Sequence, residues 1–398
     1  MIDFKGFCVY LKKDFGAKGD GETDDTSSVH DFLNHLAKNG GIGIVEPGVY
    51  NSGSYRLNNN NISFSVTGSS PVDCLFKNIS SGSFFTFNRC SGIKIDGISI
   101  DCQYTKTRTK MHGLIFVSSA NCTVNNCCIY DYLGSGIIAY SDSEEKCKNL
   151  IIKNCYAQAK TAYQDWQNAS NENKKSKECN GIVLADCEYS KIIGCSAENI
   201  SLFGIELKNH STWNFVLNCS AKDCKYGFGM GQQTTDDTGC ERNIVSDFFA
   251  EDCYMGGIIG KAKGNNIKNF IVDFNNVPER LIQNAFRFQL NSAYNSLDNL
   301  NVSGISKDRG IVRYESGASN NTVIIVNCKQ RSGDYNLIVS EYYDSSRGTA
   351  GNYTVLMRSN AAKNNIITRA SDLAVTGDAR SFNKTWYDWD KVEVNNYR

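Results

Sequence analysis

The chain lacks the features that mark a nucleic-acid-binding or membrane-inserted protein. Its 42 Lys and Arg residues balance 42 Asp and Glu residues, so it has no excess of positive charge to coat a nucleic acid. No run approaches the roughly 20 apolar residues of a membrane helix, and the first residues lack the basic and apolar regions of a secretory signal. We therefore expect no nucleic-acid partner, no membrane insertion and no signal peptide.

Proline is scarce, with 3 residues among 398, whereas cysteine is abundant, with 17. An odd number excludes complete pairing within one chain, and without an export signal we expect reduced thiols. No pair of CxxC motifs is present, so a structural zinc site is not indicated, and we expect no metal and no cofactor. The 41% hydrophobic and 11% aromatic content is enough to fill a core, which excludes a disordered chain.

The first recognisable feature is DFGAKGDGETDDT over residues 14–26, followed by an amphipathic stripe. Val29, Phe32, Leu33, Leu36 and Ala37 have helical spacing, and Gly40 and Gly41 follow them as a C-cap. This pattern predicts a short helix that covers an exposed sheet end. Asp20, Asp24 and Asp25 are predicted to form turns and cap the helix rather than to catalyse.

The rest of the chain repeats. A glycine followed by apolar residues recurs at Gly113, Gly136, Gly181, Gly204 and Gly227, with separations of 23, 45, 23 and 23 residues. A second strand-like phrase follows each of these glycines. Two or three short strands in every 23–30 residues are typical of one turn of a solenoid.

Cysteines end the second phrase at Cys127, Cys155, Cys195 and Cys219. Stacked turns would place them in an internal ladder of small side chains, a structural role rather than metal or redox chemistry. Asparagines at the turns, such as Asn125, Asn126, Asn154 and Asn218, are suited to left-handed backbone and stacked amides.

The motif of residues 14–26, the helix and GGIGIVEPGVY at residues 40–50 resemble the opening of the pectate-lyase-type superfamily. That superfamily includes polygalacturonases, mannuronan epimerases and bacteriophage tailspike depolymerases. The resemblance implies an all-β, right-handed, single-stranded parallel β-helix with a short N-terminal capping α-helix. We predict an N-terminal segment over residues 1–50, a β-helix over residues 51–370 and a C-terminal cap or oligomerisation tail over residues 371–398.

One turn is interrupted by a polar insertion over residues 160–178, which contains Tyr163 and Trp166. Long loops on a rigid scaffold often carry function, and an aromatic pair is suited to stacking against sugar rings. The alternative is a flexible surface loop.

Candidate catalytic residues lie on the strand Gly204-Ile-Glu-Leu-Lys208. Alternation sends Ile205 and Leu207 inward, so Glu206 and Lys208 face outward. Glycoside cleavage needs two carboxyl groups about 5–9.5 Å apart, and neighbouring turns could provide Asp186 or Asp237 as the partner of Glu206. Val183 and Ala185 take the outward positions one turn earlier, and Gly229 and Gly231 one turn later, where we expect open backbone. Further candidate substrate-binding residues are Lys208, His210, Tyr226, Lys261 and Arg287, some of which could instead serve a lyase.

The motifs of two related enzyme classes are incomplete. The polygalacturonase segments NTD, GHG and RIK are absent, and Tyr226-Gly-Phe-Gly-Met-Gly231 carries glycines where the epimerase segment YGFDPH has Asp and His. The sequence therefore most resembles tailspikes. The resemblance implies a homotrimer on a phage tail or baseplate that cleaves a bacterial capsule or O-antigen polysaccharide, as a hydrolase or a lyase. The alternatives are a cytoplasmic lyase or epimerase of a surface-glycan pathway, and a non-catalytic glycan-binding spike.

Overall fold

The computed structural model describes residues 8–105, 111–142, 145–231, 239–305, 311–315, 318, 321–330, 339–342, 353–357 and 384–388. The chain divides into two compact units, Met1–Leu202 and Phe203–Arg398.

The first unit has these strands: β1 Cys8–Tyr10, β2 Asp20–Asp24, β3 Gly41–Val45, β4 Gly48–Ser52, β5 Tyr55–Asn58, β6 Phe64–Gly68, β7 Cys74–Asn78, β8 Phe85–Asn88, β9 Ile93–Asp96, β10 Ser99–Asp101, β11 Leu114–Val117, β12 Thr123–Asn125, β13 Cys128–Tyr130, β14 Ser135–Tyr140, β15 Cys147–Lys148, β16 Ile151–Lys153, β17 Tyr156–Gln158, β18 Asn180–Ala185, β19 Cys187–Glu188, β20 Lys191–Ile193 and β21 Ser196–Glu198. Its helices are α1 Leu11–Phe15, α2 Thr26–Asn39, α3 Lys160–Asn168 and α4 Asn171–Lys174, with a 3-10 turn at Lys175–Lys177.

These strands form three parallel faces, as a β-helix requires. Face 1 stacks β1, β3, β6, β9, β12, β16 and β20. Face 2 stacks β2, β4, β7, β10, β13, β17 and β21. Face 3 stacks β5, β8, β11, β14 and β18. Each turn from β3 to β18 contributes one strand to each face, and β15 and β19 form a separate short pair. The predicted solenoid is therefore confirmed for this unit.

The second unit has these strands: β22 Phe203–Lys208, β23 Phe215–Lys222, β24 Tyr226–Gly231, β25 Ile244–Glu251, β26 Met255–Gly260, β27 Asn266–Asp273, β28 Phe286–Gln289, β29 Ser296–Ile305, β30 Val312–Glu315, β31 Asn321–Gln330, β32 Val339–Tyr342, β33 Tyr353–Met357 and β34 Lys384–Asp388. A 3-10 turn lies at Glu279–Leu281. Within this unit one stack consists of the long strands β23, β25, β27, β29 and β31, of 8 to 10 residues each, with the five-residue strands β33 and β34 stacked on the first half of β31. The other stack, which we also call face 3, consists of β22, β24, β26, β28, β30 and β32.

The N-terminal helix forms as predicted. The side chains of Val29, Phe32, Leu33 and Leu36 are buried on one side of α2, and the helix packs against β3, β4 and β6. The Asp25 carboxylate accepts hydrogen bonds from the backbone N–H groups of Lys18 and Gly19.

The neighbouring aspartates have the same kind of role. Asp20 accepts from the N–H groups of Glu22 and Thr23, and Asp24 from that of Thr26. The prediction that these carboxylates shape turns is confirmed. Asp24 also accepts from the first residue of α2, whereas the N-cap residue Asp25 makes no side-chain capping hydrogen bond to the helix.

The cysteine ladder is also confirmed in the first unit. Cys127, Cys155 and Cys195 are at most 2% exposed, and the N–H of Cys155 donates to Cys195 Sγ at 3.4 Å. In the second unit Cys219 is in register with Phe248, Phe270 and Leu300, so aromatic and aliphatic side chains replace sulfur in that row. None of the 16 cysteines whose side chains the structure describes forms a disulfide.

Asparagines have two roles in the turns. Asn126, Asn154 and Asn218 have φ of 49°, 53° and 52°, which confirms the predicted left-handed backbone at these three positions. The prediction is wrong for Asn125, which is the last residue of strand β12. The sequence did not predict a second, buried row that runs through the second unit. We call it the asparagine ladder; it consists of Asn214, Asn243, Asn265, Asn295 and Asn321.

From Asn243 onward, each amide oxygen of the asparagine ladder accepts two hydrogen bonds from the preceding asparagine. Asn265 Oδ1, for example, accepts from the backbone N–H and from Nδ2 of Asn243, at 2.9 and 3.0 Å. The second Nδ2 proton reaches a backbone carbonyl, as from Asn295 to Ala262 at 2.8 Å. These buried polar groups therefore have partners, which hold one corner of successive turns together.

The predicted insertion is helical rather than a loop. Residues 160–178 form α3, α4 and a 3-10 turn. Of the predicted tail over residues 371–398, the structure describes β34, which pairs with β33. The role of the tail as a cap or as a contact in a trimer remains a prediction.

Candidate functional site

The outward side of face 3 in the second unit carries a row of aligned side chains. Ile205 and Leu207 on β22 are fully buried and point inward, beside Phe228 and Met230 of β24. Alternation therefore sends Glu206 outward, as predicted. The register gives the outer row, which consists of Glu206, Gly229, Ile258, Arg287 and Arg313.

Glu206 points outward but is buried, with 6% of its surface exposed. Its Oε2 atom has no hydrogen-bond partner within the described residues. Lys208 Nζ lies 3.7 Å from Oε2 and only partly offsets the loss of solvation. Desolvation raises the pKa of Glu206 above its ordinary value, so this carboxyl group is suited to hold a proton and act as a general acid.

Two aromatic residues begin the strands that carry Glu206 and Gly229, Phe203 on β22 and Tyr226 on β24. The Phe203 and Tyr226 rings are 5.0 Å apart between centroids, and Lys225 Nζ lies 5.2 Å from the centre of the Tyr226 ring. Tyr226 is half-buried at the start of β24. It could contact a sugar, as predicted, although Phe203 shares its ring surface.

The backbone next to Glu206 is not open, contrary to the prediction. A Cβ atom at Gly229 would lie 2.5 Å from Phe203 Cδ1, because the Phe203 ring occupies that space. A Cβ at Gly231 would collide with the carbonyl oxygen of Gly260. These glycines allow a close approach by other parts of this chain, so a ligand does not find bare backbone there.

The far end of the outer row is positively charged. Arg287 lies three strand spacings from Glu206, about 14 Å, and its guanidinium donates to Gln283 Oε1 at 3.2 Å. Arg313 follows in register on the next strand. The row thus combines one buried carboxyl group with two guanidinium groups, a charge pattern suited to an anionic polymer.

The remaining predicted residues lie in different places. Lys208 ends β22, and His210 lies in the turn that follows. Lys261 does not take the predicted outward strand position, because Gly260 is the last residue of β26 in register with Gln289, and Lys261 follows with left-handed backbone. Its role in substrate binding remains a prediction. Asp186 follows β18 in the first unit, also with left-handed backbone. Asp237 lies outside the described residues, so the pairing of Glu206 with either aspartate remains a prediction.

The predicted aromatic platform in the insertion is buried. Tyr163 and Trp166 lie on α3, where their rings stack on each other at 5.7 Å. They are 6% and 4% exposed, and Lys174 Nζ lies 4.9 Å from the Trp166 ring. The helical spacing of Ala162, Tyr163 and Trp166 gives one apolar stripe, a signal that was present in the sequence. These rings contribute to packing rather than to sugar binding.

Face 3 of the first unit has an apolar outward row. Ile115, Ile138 and Val183 are in register there, and Val117, Ala185 and Tyr140 pack with them. The outward positions predicted for Val183 and Ala185 are confirmed. The five aliphatic members of this cluster are at most 8% exposed, and the cluster contributes packing but no group for acid–base chemistry.

Within the described ranges, no group of three or more His, Cys, Asp or Glu side chains is arranged to hold a metal ion. In the same part of the chain, no helix combines the length and the apolar composition of a transmembrane span.

The middle of the chain matches a known protein family. Residues 112–247 match the family described as the right handed beta helix region. The chain therefore has the right-handed parallel β-helix fold, and the predicted resemblance is confirmed.

The chain is similar in sequence to a tail spike protein. The chain is 24% identical over 323 residues to the Tail spike protein of Escherichia virus K5. The match covers 79% of this chain, which spans about half of that protein, 47% of its length.

Two solved structures show the same fold. The mannuronan C-5 epimerase AlgE6 A-module of Azotobacter vinelandii matches with a TM-score of 0.68 and 13% identity, over 92% of this chain and 96% of that one. The Dettilon tailspike protein matches with a TM-score of 0.61 and 14% identity, over 88% of this chain and 68% of that one. At these identities the matches establish the fold alone.

Proposed function

We propose that this chain is the β-helix body of a phage tailspike that cleaves a polysaccharide of the bacterial surface, with Glu206 as the general acid. The observation that carries the proposal is the buried outward carboxyl group of Glu206, whose Oε2 has no hydrogen-bond partner within the described residues. Burying a carboxyl group without a full set of partners is unfavourable. A group retained at that cost is a candidate for chemistry.

The proposed mechanism begins with protonated Glu206 donating its proton to the glycosidic oxygen as the bond breaks. A second carboxylate, Asp186 or Asp237, would act as nucleophile or general base. Tyr226, Lys208 and His210 would position the sugar beside the acid. The similarity to a tail spike protein supports this assignment. As part of a tailspike, the protein would be located on the phage tail and would assemble as a homotrimer.

A lyase reaction is the second candidate, and the outer row favours it in one respect. Arg287 and Arg313 follow Glu206 along the described outer row, in which no second carboxylate occurs. Guanidinium groups could neutralise the carboxylate of a uronate. A lyase requires this neutralisation before it removes the proton next to that carboxylate. A base of the Lys, His or Tyr type would then complete the site, with Lys208, His210 and Tyr226 as candidates.

The test uses a panel of purified capsular and O-antigen polysaccharides. Chain length is followed by size-exclusion chromatography, and unsaturated uronate by ultraviolet absorbance. We expect the wild-type protein to shorten one polymer and Glu206→Gln to slow that reaction by roughly 10²–10⁴-fold. Glu251→Gln is a matched control, because Glu251 pairs with Lys222 on the long strands away from the outer row.

The outcomes separate the candidates. Shortening without new absorbance supports a hydrolase, and shortening with it supports a lyase. Equal rates for the wild-type protein and Glu206→Gln would remove Glu206 from the site. Saturable binding with no shortening would instead make the chain a non-catalytic glycan-binding spike.

A further inference from the structure

One exposed corner of the second unit carries large side chains on left-handed backbone. We call it the corner row; it consists of Trp213, Arg242, Gly264 and Tyr294, with φ of 59°, 58°, 63° and 56°. The residues just before them form parallel bridges, from Thr212 through Glu241 and Lys263 to Ala293. Each member therefore lies one strand spacing, about 4.8 Å, from the next. Each is also followed by a member of the asparagine ladder.

Packing does not account for the large residues of this row. Left-handed backbone is unfavourable for bulky side chains, and Asn and Gly are the usual residues there. At the corresponding turn of the first unit the left-handed residues are Gly92, Asn121, Asn149 and Tyr189, so three of the four positions there carry the usual Gly or Asn. Trp213 and Tyr294 are 44% and 67% exposed, so burial offsets little of the backbone cost. An unfavourable backbone state that supports exposed aromatic rings points to binding.

The corner row has the layout of a shallow slot. The Arg242 guanidinium lies 5.2 Å from the centre of the Trp213 ring, which leaves its N–H groups beside an aromatic face. Next to Arg242, a Cβ atom at Gly264 would meet nothing within 4 Å, so the space there is open. Tyr294 follows Gly264 as the next residue of the row and is 67% exposed. From Trp213 to Tyr294 the row spans three strand spacings, about 14 Å.

This layout is suited to a carbohydrate chain. Aromatic faces contact the C–H faces of sugar rings, and guanidinium groups donate hydrogen bonds to hydroxyl or carboxylate oxygens. The asparagine ladder directly behind the row fixes its spacing before a ligand arrives, and such preorganisation lowers the entropic cost of binding. The span fits an oligosaccharide segment better than a single ring.

We propose that the corner row is a second polysaccharide-binding site, which holds the polymer independently of the chemistry at Glu206. The choice of a carbohydrate as the ligand rests on the proposed function. The site would keep a long chain on the protein between cleavage events, so its contribution would increase with polymer length.

The experiment measures binding without cleavage. Glu206→Gln protein, which retains the corner row, is passed over the same immobilised capsular and O-antigen polysaccharides. Trp213→Asn and Tyr294→Asn are then added singly, because asparagine tolerates the left-handed backbone and keeps the fold. We expect each substitution to weaken binding roughly tenfold to any polysaccharide that retains the parent protein. The melting temperature should be unchanged. Ile271→Ala is the control, because Ile271 is a similarly exposed apolar side chain, 43% exposed, on the long strand β27.

Three results would overturn the proposal. In the first, none of the immobilised polysaccharides retains the protein with an intact corner row. In the second, the variants bind as tightly as their parent. In the third, the substitutions change sedimentation but leave polysaccharide binding unchanged. The last result would assign the row to protein assembly.

Failure of the proposed function is distinguishable from failure of this inference. Binding that depends on Trp213 with no cleavage by the wild-type protein would leave the corner row standing alone. Cleavage together with undiminished binding by Trp213→Asn would remove only the corner row.

Discussion

Lys208 Nζ lies 3.7 Å from Oε2 of Glu206, too far for a hydrogen bond. The lysine therefore provides charge without the direct contact that would stabilise the ionised carboxylate fully. A buried carboxyl group with this neighbour retains its proton more strongly than it would in water. The chemistry proposed for Glu206 depends on this imbalance.

The first prediction concerns the pH dependence of stability. The folded-state pKa of Glu206 lies above its ordinary value of 4.5, so the native protein binds this proton more tightly than the unfolded chain does. The stability from Glu206 is then present below pH 4.5 and is lost as pH rises through the folded pKa. Melting temperatures of wild type and Glu206→Gln, measured across pH, should move apart above pH 4.5 in favour of the variant. Parallel curves would contradict the raised pKa.

The second prediction concerns the asparagine ladder. Asn265→Ala removes the acceptor for two buried donors of Asn243, and we expect urea unfolding to show a loss of about 3 kcal/mol. Asn301→Ala is the control, because the Asn301 amide donates only within its own strand, to Asn299. That variant should lie within about 0.5 kcal/mol of wild type. Similar values for the two variants would mean that the ladder adds no stability.

The third prediction tests the packing of Phe203 over Gly229. Gly229→Ala places a methyl group in the Phe203 ring, and we expect a loss of about 1–3 kcal/mol. In a Phe203→Ala background the methyl group has space, so the same change should cost much less. A double-mutant cycle by thermal or urea unfolding measures this coupling. Additive effects would show that the ring does not occupy the space above Gly229.

The fourth prediction separates a buried tryptophan from an exposed one. Trp166→Ala should lower the free energy of unfolding by about 3–5 kcal/mol, because the ring is 4% exposed and packs on Tyr163. Trp213→Asn should change it little. Polysaccharide binding should show the opposite order, with the larger effect at Trp213. A Trp166 variant that keeps full stability would restore the original hypothesis of a sugar platform in the insertion.

Much of the fold could be predicted because the same pattern of residues recurs in successive turns, so that one turn indicates the structure of the next. The apolar stripe of α2 and the recurring glycine phrases follow directly from side-chain periodicity. The cysteine positions similarly indicated an interior row. These signals are local in the sequence, and the parallel stacking converts them into a three-dimensional arrangement.

The candidate site was less predictable, since alternation gives the direction of a side chain but not what covers it. Glu206 points outward as expected, yet it is 6% exposed. Gly229 looked open because the position of the Phe203 ring depends on a neighbouring strand. Trp166 was assigned to a loop because the polar composition of the insertion masked a short helical stripe. The asparagine ladder was missed because asparagines were assigned to turns alone.

The asparagine ladder also has a consequence for how long the second unit can be. Every rung presents the same acceptor backward and the same donors forward, so any two neighbouring rungs fit together in the same way. Deleting or duplicating one complete coil, from one ladder asparagine to the next, leaves no mismatched amide at the join. The architecture thus allows the second unit to be shortened or lengthened by whole turns, in evolution or by engineering.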